Sequence, residues 1–483
     1  MTTTKVIHWF RQDLRLADNP ALTAAASHGA VLPVYILDDE NAAEFALGAA
    51  SRAWLQRSLA VLNDSLAQNL AVYRGNPVTI LQDLCHRLQI RDIFWNRCYE
   101  SWRIIRDTQL KQQLAQLGIT VHSYNGSLLW EPWEVCKTDG TPYKVFTPCY
   151  RNGCLKATPP RYPLPVPKLN LFKDGNSATI DNLALRPKIN WDTPLLANWQ
   201  IGEAAAIKQL EGFLATGINN YHYGRDFPAQ QNTSRLAPHL HFGEISPNQL
   251  WYAVRNSGDS DNVEIFCKEL GWREFSYSLL YYHPDLAYNN LDHKFVNFPW
   301  QYDQNKLRAW QQGLTGIPII DAGMRELWQT GFMHNRVRMI VASFLVKNLL
   351  QHWRDGARWF WECLIDADLA SNSASWQWIA GCGADAAPYF RIFNPVTQSQ
   401  KFDPNGDYIR KYIPELAKLP TKFLFEPWNA PKEVLTAAGI SLGINYPQPL
   451  VDLKVSRAAA LNAFHRMNQS VFDDNELIYR SCR

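Results

Sequence analysis

The stretch from Asp366 to Asp403 gathers residue types that ordinary packing does not need side by side. It has acids at Asp366 and Asp368, an amide at Asn372, indoles at Trp376 and Trp378 around Gln377, the turn Gly381-Cys382-Gly383, and an Arg391-Ile392-Phe393-Asn394-Pro395 run. Carboxylates and an amide supply a hydrogen-bonding edge, and indoles supply flat walls with a polar N–H. Singly, each has an ordinary reading: a buried Trp is core, an Asp before a helix is a cap, and Gly-x-Gly is a turn. Together they describe a cradle for a cofactor.

Composition agrees with a ring-shaped ligand, because 19 Trp, 20 Tyr and 22 Phe exceed what core packing normally asks for. With 46% of its residues hydrophobic and 19% charged, the chain reads as soluble and globular, and 483 residues call for two or three packed units. A net charge of +3 cannot by itself argue for nucleic-acid binding, which would need a local basic patch. Nine Cys form no CxxC pair and no signal peptide opens the chain, so a reducing cytoplasm is expected. No apolar run approaches the roughly 20 residues that cross a bilayer, so no membrane partner is expected.

The elements that must position the cradle follow from periodicity. Lys5–Phe10, Ala30–Asp38, Leu70–Gly75, Asp92–Asn96 and Ile119–Tyr124 are short β-rich runs, with helical patterns between them; Leu55, Leu59, Leu62 and Leu66 share one stripe. The alternation predicts a Rossmann-like parallel α/β domain over residues 1–128. No GxGxxG or GxxxxGK[ST] follows any strand, which argues against nicotinamide and P-loop chemistry. Pro132, Pro142, Pro148, Pro159, Pro160, Pro163, Pro165 and Pro167 mark a connector over residues 129–200, long enough to be packed rather than loose. Residues 201–475 read as an all-helical domain.

Several motifs in order resemble one family across nearly the whole chain: WFRQDLRLADNPAL at the start, TSRLAPHLHFGEIS from Thr233, ELGWREF from Glu269, TGIPIIDAGMREL from Thr315, MHNRVRM from Met333, and the Asp366 stretch. The chain resembles the photolyase and cryptochrome family, specifically its class I cyclobutane pyrimidine dimer photolyases. The resemblance implies a flavin enzyme, a monomer in the cytoplasm, that uses blue light to split pyrimidine dimers in UV-damaged DNA.

For FAD, the resemblance implies that Tyr221, Thr233, Ser234, Arg235, Leu236 and Ala237 meet the phosphates. Thr-Ser-Arg before a helical pattern suits an anion, and it is also a common cap. Ala237 stands where many relatives have Ser. Arg338 and Asp366 match an ion pair at the isoalloxazine end, Ala367 and Asp368 match the ring's hydrogen-bonding edge, and Asn335 lies beside them. Asn372 matches the residue facing flavin N5, where an amide tolerates an anionic reduced ring that a carboxylate would repel. Trp376, Trp353 and Trp300 match the family's electron path from surface to flavin.

On the DNA side, a flipped-out lesion needs flat walls and a few polar groups. Trp272 and Trp378 match the stacking walls, Glu269 the acid that holds the dimer, and Asn335, Arg336 and Met339 the pocket lining. A thioether transfers no proton, which suits a cyclobutane dimer better than a (6-4) photoproduct. Arg273, Lys401 and Gln398 match further DNA contacts, with Lys268 and Arg391 as added cations; no metal site is expected. A second antenna chromophore, a deazaflavin, another flavin or methenyltetrahydrofolate, is implied. Trp102 and Arg103 replace the Asn-Glu pair of folate binders, which disfavours folate held in that way. A blue-light cryptochrome is the rival, disfavoured by the chain's ending at Arg483 without a long extension. An aromatic-rich single-strand binder is a third reading.

Overall fold

A computed structural model describes residues 4–386 and 390–481. Five strands, β1 (Lys5–Phe10), β2 (Ala30–Leu37), β3 (Ala71–Arg74), β4 (Asp92–Asn96) and β5 (Thr120–Tyr124), form one parallel sheet in the order β3-β2-β1-β4-β5. Every residue of β2 is buried, as expected of a strand covered on both faces. Pro33 is tolerated there because β3 pairing begins only at Val34, so its missing N–H interrupts no β2–β3 ladder.

Between the strands run α1 (Pro20–His28), α2 (Ala49–Ser65), α3 (Pro77–Leu88) and α4 (Ser101–Gln116). The Leu55, Leu59 and Leu62 stripe of α2 and the adjacent Leu66 are all buried against the sheet core. Asn19 starts α1 by accepting from Leu22 N at 3.0 Å, with Pro20 in the first helical turn. The connector is packed, as its length predicts. Main-chain bonds tie it to the sheet and to the turn before α1: Val31 N to Asn170 O at 2.8 Å, Ala178 N to Val72 O at 3.1 Å, and Asp18 N to Leu164 O at 2.8 Å.

By backbone proximity the chain forms two compact units whose boundary crosses the helical region. The first is residues 1–222, 232–285 and 365–371; the second is residues 223–231, 286–364 and 372–483. The composition change near residue 200 therefore marks a linker in sequence but not a unit boundary. Beyond the sheet, the first unit contains α5 (Glu203–Ala215), α6 (Ala237–Phe242), α7 (Pro247–Asn256) and α8 (Asp261–Tyr282). It is fastened by Arg15, whose side chain is almost fully buried and donates to Asp18 O at 2.7 Å, Gly126 O at 2.7 Å and Gly243 O at 2.9 Å. One guanidinium thus satisfies carbonyls from three segments far apart in sequence.

The second unit contains α9 (Gln304–Gln311), α10 (Pro318–Thr330), α11 (Asn335–Ser343) and α12 (Trp353–Cys363). After α13 (Leu369–Ala380) come α14 (Pro395–Phe402), α15 (Asp407–Tyr412) and the long α16 (Leu453–Ser481). Among the described residues no helix is long and apolar enough to cross a membrane.

Candidate functional site

In the first unit, α8 carries Glu269 and Trp272 three residues apart and so near one face, both half-buried. Phe146 of the connector lies parallel to Trp272, with ring centroids 3.8 Å and planes 11° apart, and braces the indole. Farther along α8, the Tyr277 hydroxyl donates to Asp368 Oδ2 at 2.5 Å, while Asp368 Oδ1 accepts from Ser371 N at 2.8 Å. Asp368 therefore opens α13 as a cap and is oriented by a phenol from α8. Asp366 and Ala367 precede it, both buried. His241, buried in α6, is kept below its ordinary pKa by burial, against the opposing pull of Asp368 and Asp366.

The Thr233-Ser234-Arg235 loop in the same unit is shaped by its backbone. Arg235 has φ +53°, uncommon for a residue with a side chain, and its guanidinium sits 4.2 Å over the Trp199 ring. Gln209 Nε2 donates to Ser234 O at 2.9 Å, and Leu236 N donates to Ser234 Oγ at 3.4 Å. The half-buried Thr233 and Ser234 hydroxyls and a cation in one held turn fit a phosphate-bearing cofactor. The helix-end field expected from the sequence is small, because α6 has only six residues and few peptide dipoles to sum. Tyr221 lies buried in an aromatic cluster with Phe213 and Phe266.

In the second unit, α11 presents Asn335 exposed in its first turn and Arg336, Arg338 and Met339 half-buried. Arg336 pairs with Asp226 at 2.7 Å and lies 4.4 Å over the Phe402 ring, and Arg338 Nε donates to Met333 O at 2.7 Å. Asn372 Nδ2 donates to Ala357 O at 3.0 Å, which leaves Oδ1 as the amide's other hydrogen-bonding end. Trp376 and Trp353 are almost fully buried and Trp300 is half-buried. Trp376 packs 5.0 Å from Phe360, and Trp353 Nε1 donates to Asn290 Oδ1 at 2.8 Å. His352 stands between the outer indoles, 5.0 Å from Trp300 and 5.7 Å from Trp353. Burial pushes its pKa down to about 4, so at neutral pH it places no cation between them. Trp378 and Arg391 line a small cleft with Ile379, Gly381, Ala386 and Phe393. On α14, Lys401 is exposed and the buried Oε1 of Gln398 has no partner among the described residues.

His334 starts α11 by accepting from Arg336 N through Nδ1 at 3.2 Å, so this nitrogen must be unprotonated. Burial lowers its pKa to about 4 against the pull of Asp226, helped by Arg336, Arg338 and Arg225. Between about pH 6.5 and 4 the unfolded chain binds a proton that the folded protein refuses, so stability falls as pH falls through that window. The loss attributable to His334 is on the order of 3 kcal/mol. His334→Asn keeps a capping oxygen and cannot titrate. Comparing melting temperatures at pH 7 and pH 5 should show a shallower acid loss in that variant, with His352 and His241, both lowered by burial, contributing to the rest.

Residues 6–168 match the family described as DNA photolyase, and residues 266–466 match the family described as the FAD binding domain of DNA photolyase. The deoxyribodipyrimidine photo-lyase of Agrobacterium fabrum is 45% identical, over 96% of this chain and 98% of that one. The chain belongs to the photolyase/cryptochrome family. Cryptochrome-1 of Arabidopsis thaliana is 39% identical over 96% of this chain and 70% of its own length. Among solved structures, a bacterial class III photolyase from Agrobacterium tumefaciens superposes with a TM-score of 0.93 at 44% identity, covering 97% of this chain and 98% of that one. An archaeal photolyase from Sulfolobus tokodaii, described with two FAD molecules, superposes at 0.81 with 29% identity, covering 96% of this chain and all of that one.

As in the family, the parallel sheet precedes a helical FAD-binding region. Two basic residues expected at DNA are engaged within the protein. Arg273 donates to Ser127 O at 2.9 Å, pairs with Glu274 at 3.2 Å and lies 4.9 Å over Tyr277, while Arg336 holds Asp226. Their charge is therefore already largely neutralised. Arg103 pairs with Glu100 at 3.4 Å and lies 4.7 Å over Trp102, so Trp102 and Arg103 form a structural stack. Phe146, Tyr277, His241 and His352 were not singled out in the sequence. Their roles come from residues distant along the chain, and only the adjacency of His352 to Trp353 was there to be seen.

Proposed function

We propose that the protein is a light-driven lyase that repairs cyclobutane pyrimidine dimers in DNA. The observation that carries this reading is the α8 pair: an acid, Glu269, three residues from an indole, Trp272, that Phe146 braces from behind. A rigid wall with an acid near its face suits an extruded pair of fused pyrimidines, and a damaged step costs less to unstack than an intact one. Trp378 provides a second indole, with Arg391 5.6 Å from its ring. Met339, matched by the family motif to the lesion pocket, is apolar and transfers no proton.

When bound, reduced FAD supplies the photoexcited electron donor. The remaining work falls to the chain. Thr233, Ser234 and Arg235 hold phosphate, with Tyr221, Leu236 and Ala237 around them; Arg338, Asp366, Ala367 and Asp368 order the edge of the flavin site. Asn372 offers Oδ1 to a protonated ring nitrogen, while Ala357 O holds one N–H of its Nδ2 and so fixes the amide plane. Trp300, Trp353 and Trp376 form the route by which oxidised flavin is reduced. Asn335, Gln398, Lys401 and Lys268 contact DNA, and binding weakens with salt by roughly one unit of log–log slope per phosphate neutralised. A monomer in the cytoplasm suffices for this work.

Met339 speaks for a cyclobutane dimer and Asn372 for a reduced, anionic flavin, whereas 44% identity to a class III enzyme favours class III over the class I expected from motifs. The antenna chromophore is a deazaflavin, a flavin or a folate held without the Asn-Glu pair. The cryptochrome-like identity of 39% supports a second reading, a blue-light receptor. One assay separates them: dimer loss from thymine-dimer DNA with reduced protein, in blue light and in darkness. Loss in light alone, much reduced in Glu269→Ala, is the expected result. A yellow protein that photoreduces yet removes no dimer overturns the lyase reading in favour of the receptor.

A further inference from the structure

Residues Cys149–Gly153 form a single π turn inside the connector, in which Cys154 N donates to Cys149 O, an i to i+5 bond. In an α-helix two residues five apart point roughly 140° from each other, at 3.6 residues per turn. The wider turn stacks position 154 one turn from position 149, and each has a thiol. Both cysteines are buried. The Cys149 side chain beside it, and then burial, push the Cys154 thiol well above its ordinary pKa. The neighbouring Cys136 is engaged elsewhere, 3.1 Å from the Tyr282 hydroxyl and 3.5 Å from Pro132 O.

We infer that Cys149 and Cys154 form a redox-responsive dithiol that closes to a disulfide when a peroxide reaches it. The Cys149 sulfur, as thiolate, attacks one peroxide oxygen, which breaks the O–O bond and leaves a sulfenic acid and hydroxide. The Cys154 sulfur then displaces hydroxide from the sulfenic sulfur, forming the S–S bond. The two thiol protons and the two hydroxides leave as two waters, and the two electrons given up by the sulfurs are those gained by the peroxide. Burial of both sulfurs, with the raised pKa of Cys154, makes the pair slow to react in the resting protein, as suits a responder rather than a catalyst.

The place of the pair gives the bond a consequence. Phe146, three residues before Cys149, stacks on Trp272, and the Tyr150 ring lies against Gly271 so closely that a Cβ there would be 2.5 Å from Tyr150 Cδ2. Closing the bond fixes the turn that backs the Trp272 segment of α8. The inference rests on this turn alone and does not depend on the light-driven reading.

The test uses the full-length native protein with and without hydrogen peroxide. Remaining thiols are blocked in denaturant and the peptides weighed. The expected product is one peptide in which Cys149 and Cys154 are unblocked and two hydrogens lighter, restored by dithiothreitol, absent from Cys154→Ser protein, and not favoured over other pairings when peroxide is added in urea. Blocked thiols at both positions after peroxide, over-oxidation of either one without a bond, or pairing of either with Cys136 would overturn the inference, and the wild-type measurement decides it even where the variant folds poorly.

Discussion

Trp376→Phe protein is expected to lose photoreduction of its oxidised flavin while repairing dimers normally once the flavin is reduced chemically. The phenyl ring keeps the contact with Phe360 but is far harder to oxidise than indole, and Trp376 lies one turn from Asn372 on α13. Gly356 offers a second handle on the same ring. A Cβ there would fall 2.1 Å from Trp376 Cη2, 2.5 Å from Cζ3 and 2.7 Å from Leu345 Cδ2. Gly→Ala inside a helix ordinarily gains about 1 kcal/mol. Here overpacking, at about 1–3 kcal/mol, opposes that gain and should outweigh it. Gly356→Ala should therefore lower the melting temperature and slow photoreduction by displacing the indole. Following the loss of oxidised-flavin absorbance under blue light reads both variants; an unchanged rate in Trp376→Phe would mean that the electron enters by another route.

Gly243→Ala is expected to cost upward of about 4 kcal/mol, enough to remove most soluble protein. Gly243 ends α6 at φ +69°, in the left-handed region where a Cβ alone costs roughly 1–2 kcal/mol. A Cβ there would also lie 2.0 Å from Gln12 O and 2.5 Å from Asp13 Cα, which are backbone atoms and cannot rotate aside. Moving them would strain the bond from Leu14 N to Phe242 O at 3.1 Å and pull Gly243 O from Arg15. Urea unfolding of the variant measures the loss, and a change below 1 kcal/mol would show that the Gln12–Asp13 turn is softer than its packing implies.

Much of the architecture was legible because it is written in short-range pattern. Strand runs at Lys5–Phe10 and Asp92–Asn96 fall where period and β-branching place them, and the Leu55 stripe is buried as its spacing requires. Asp368 shows the limit. The sequence offers an acid of uncertain partner before a helix, whereas in the fold it caps that helix and accepts a hydrogen bond from Tyr277, 91 residues away. Arg273 shows the same limit from the other side. A cation on a helix face resembles a phosphate contact until the carbonyl of Ser127 and the carboxylate of Glu274 are seen to occupy it.

By itself the sequence determined the parallel sheet with its helical sequel, the membership in a flavin family that its ordered motifs announce, and the residue types of the site: an acid, indoles and an amide in a fixed order. These follow from periodicity and from spacing within single elements, which neighbouring residues alone impose. Only the tertiary structure decided which charges are free and which are spent, that Phe146 backs Trp272, that His352 lies neutral between two indoles, and that a π turn brings two thiols together. Each of these depends on groups brought close by long-range packing, where burial and hydrogen-bond partners set the chemistry of a side chain whose identity is unchanged.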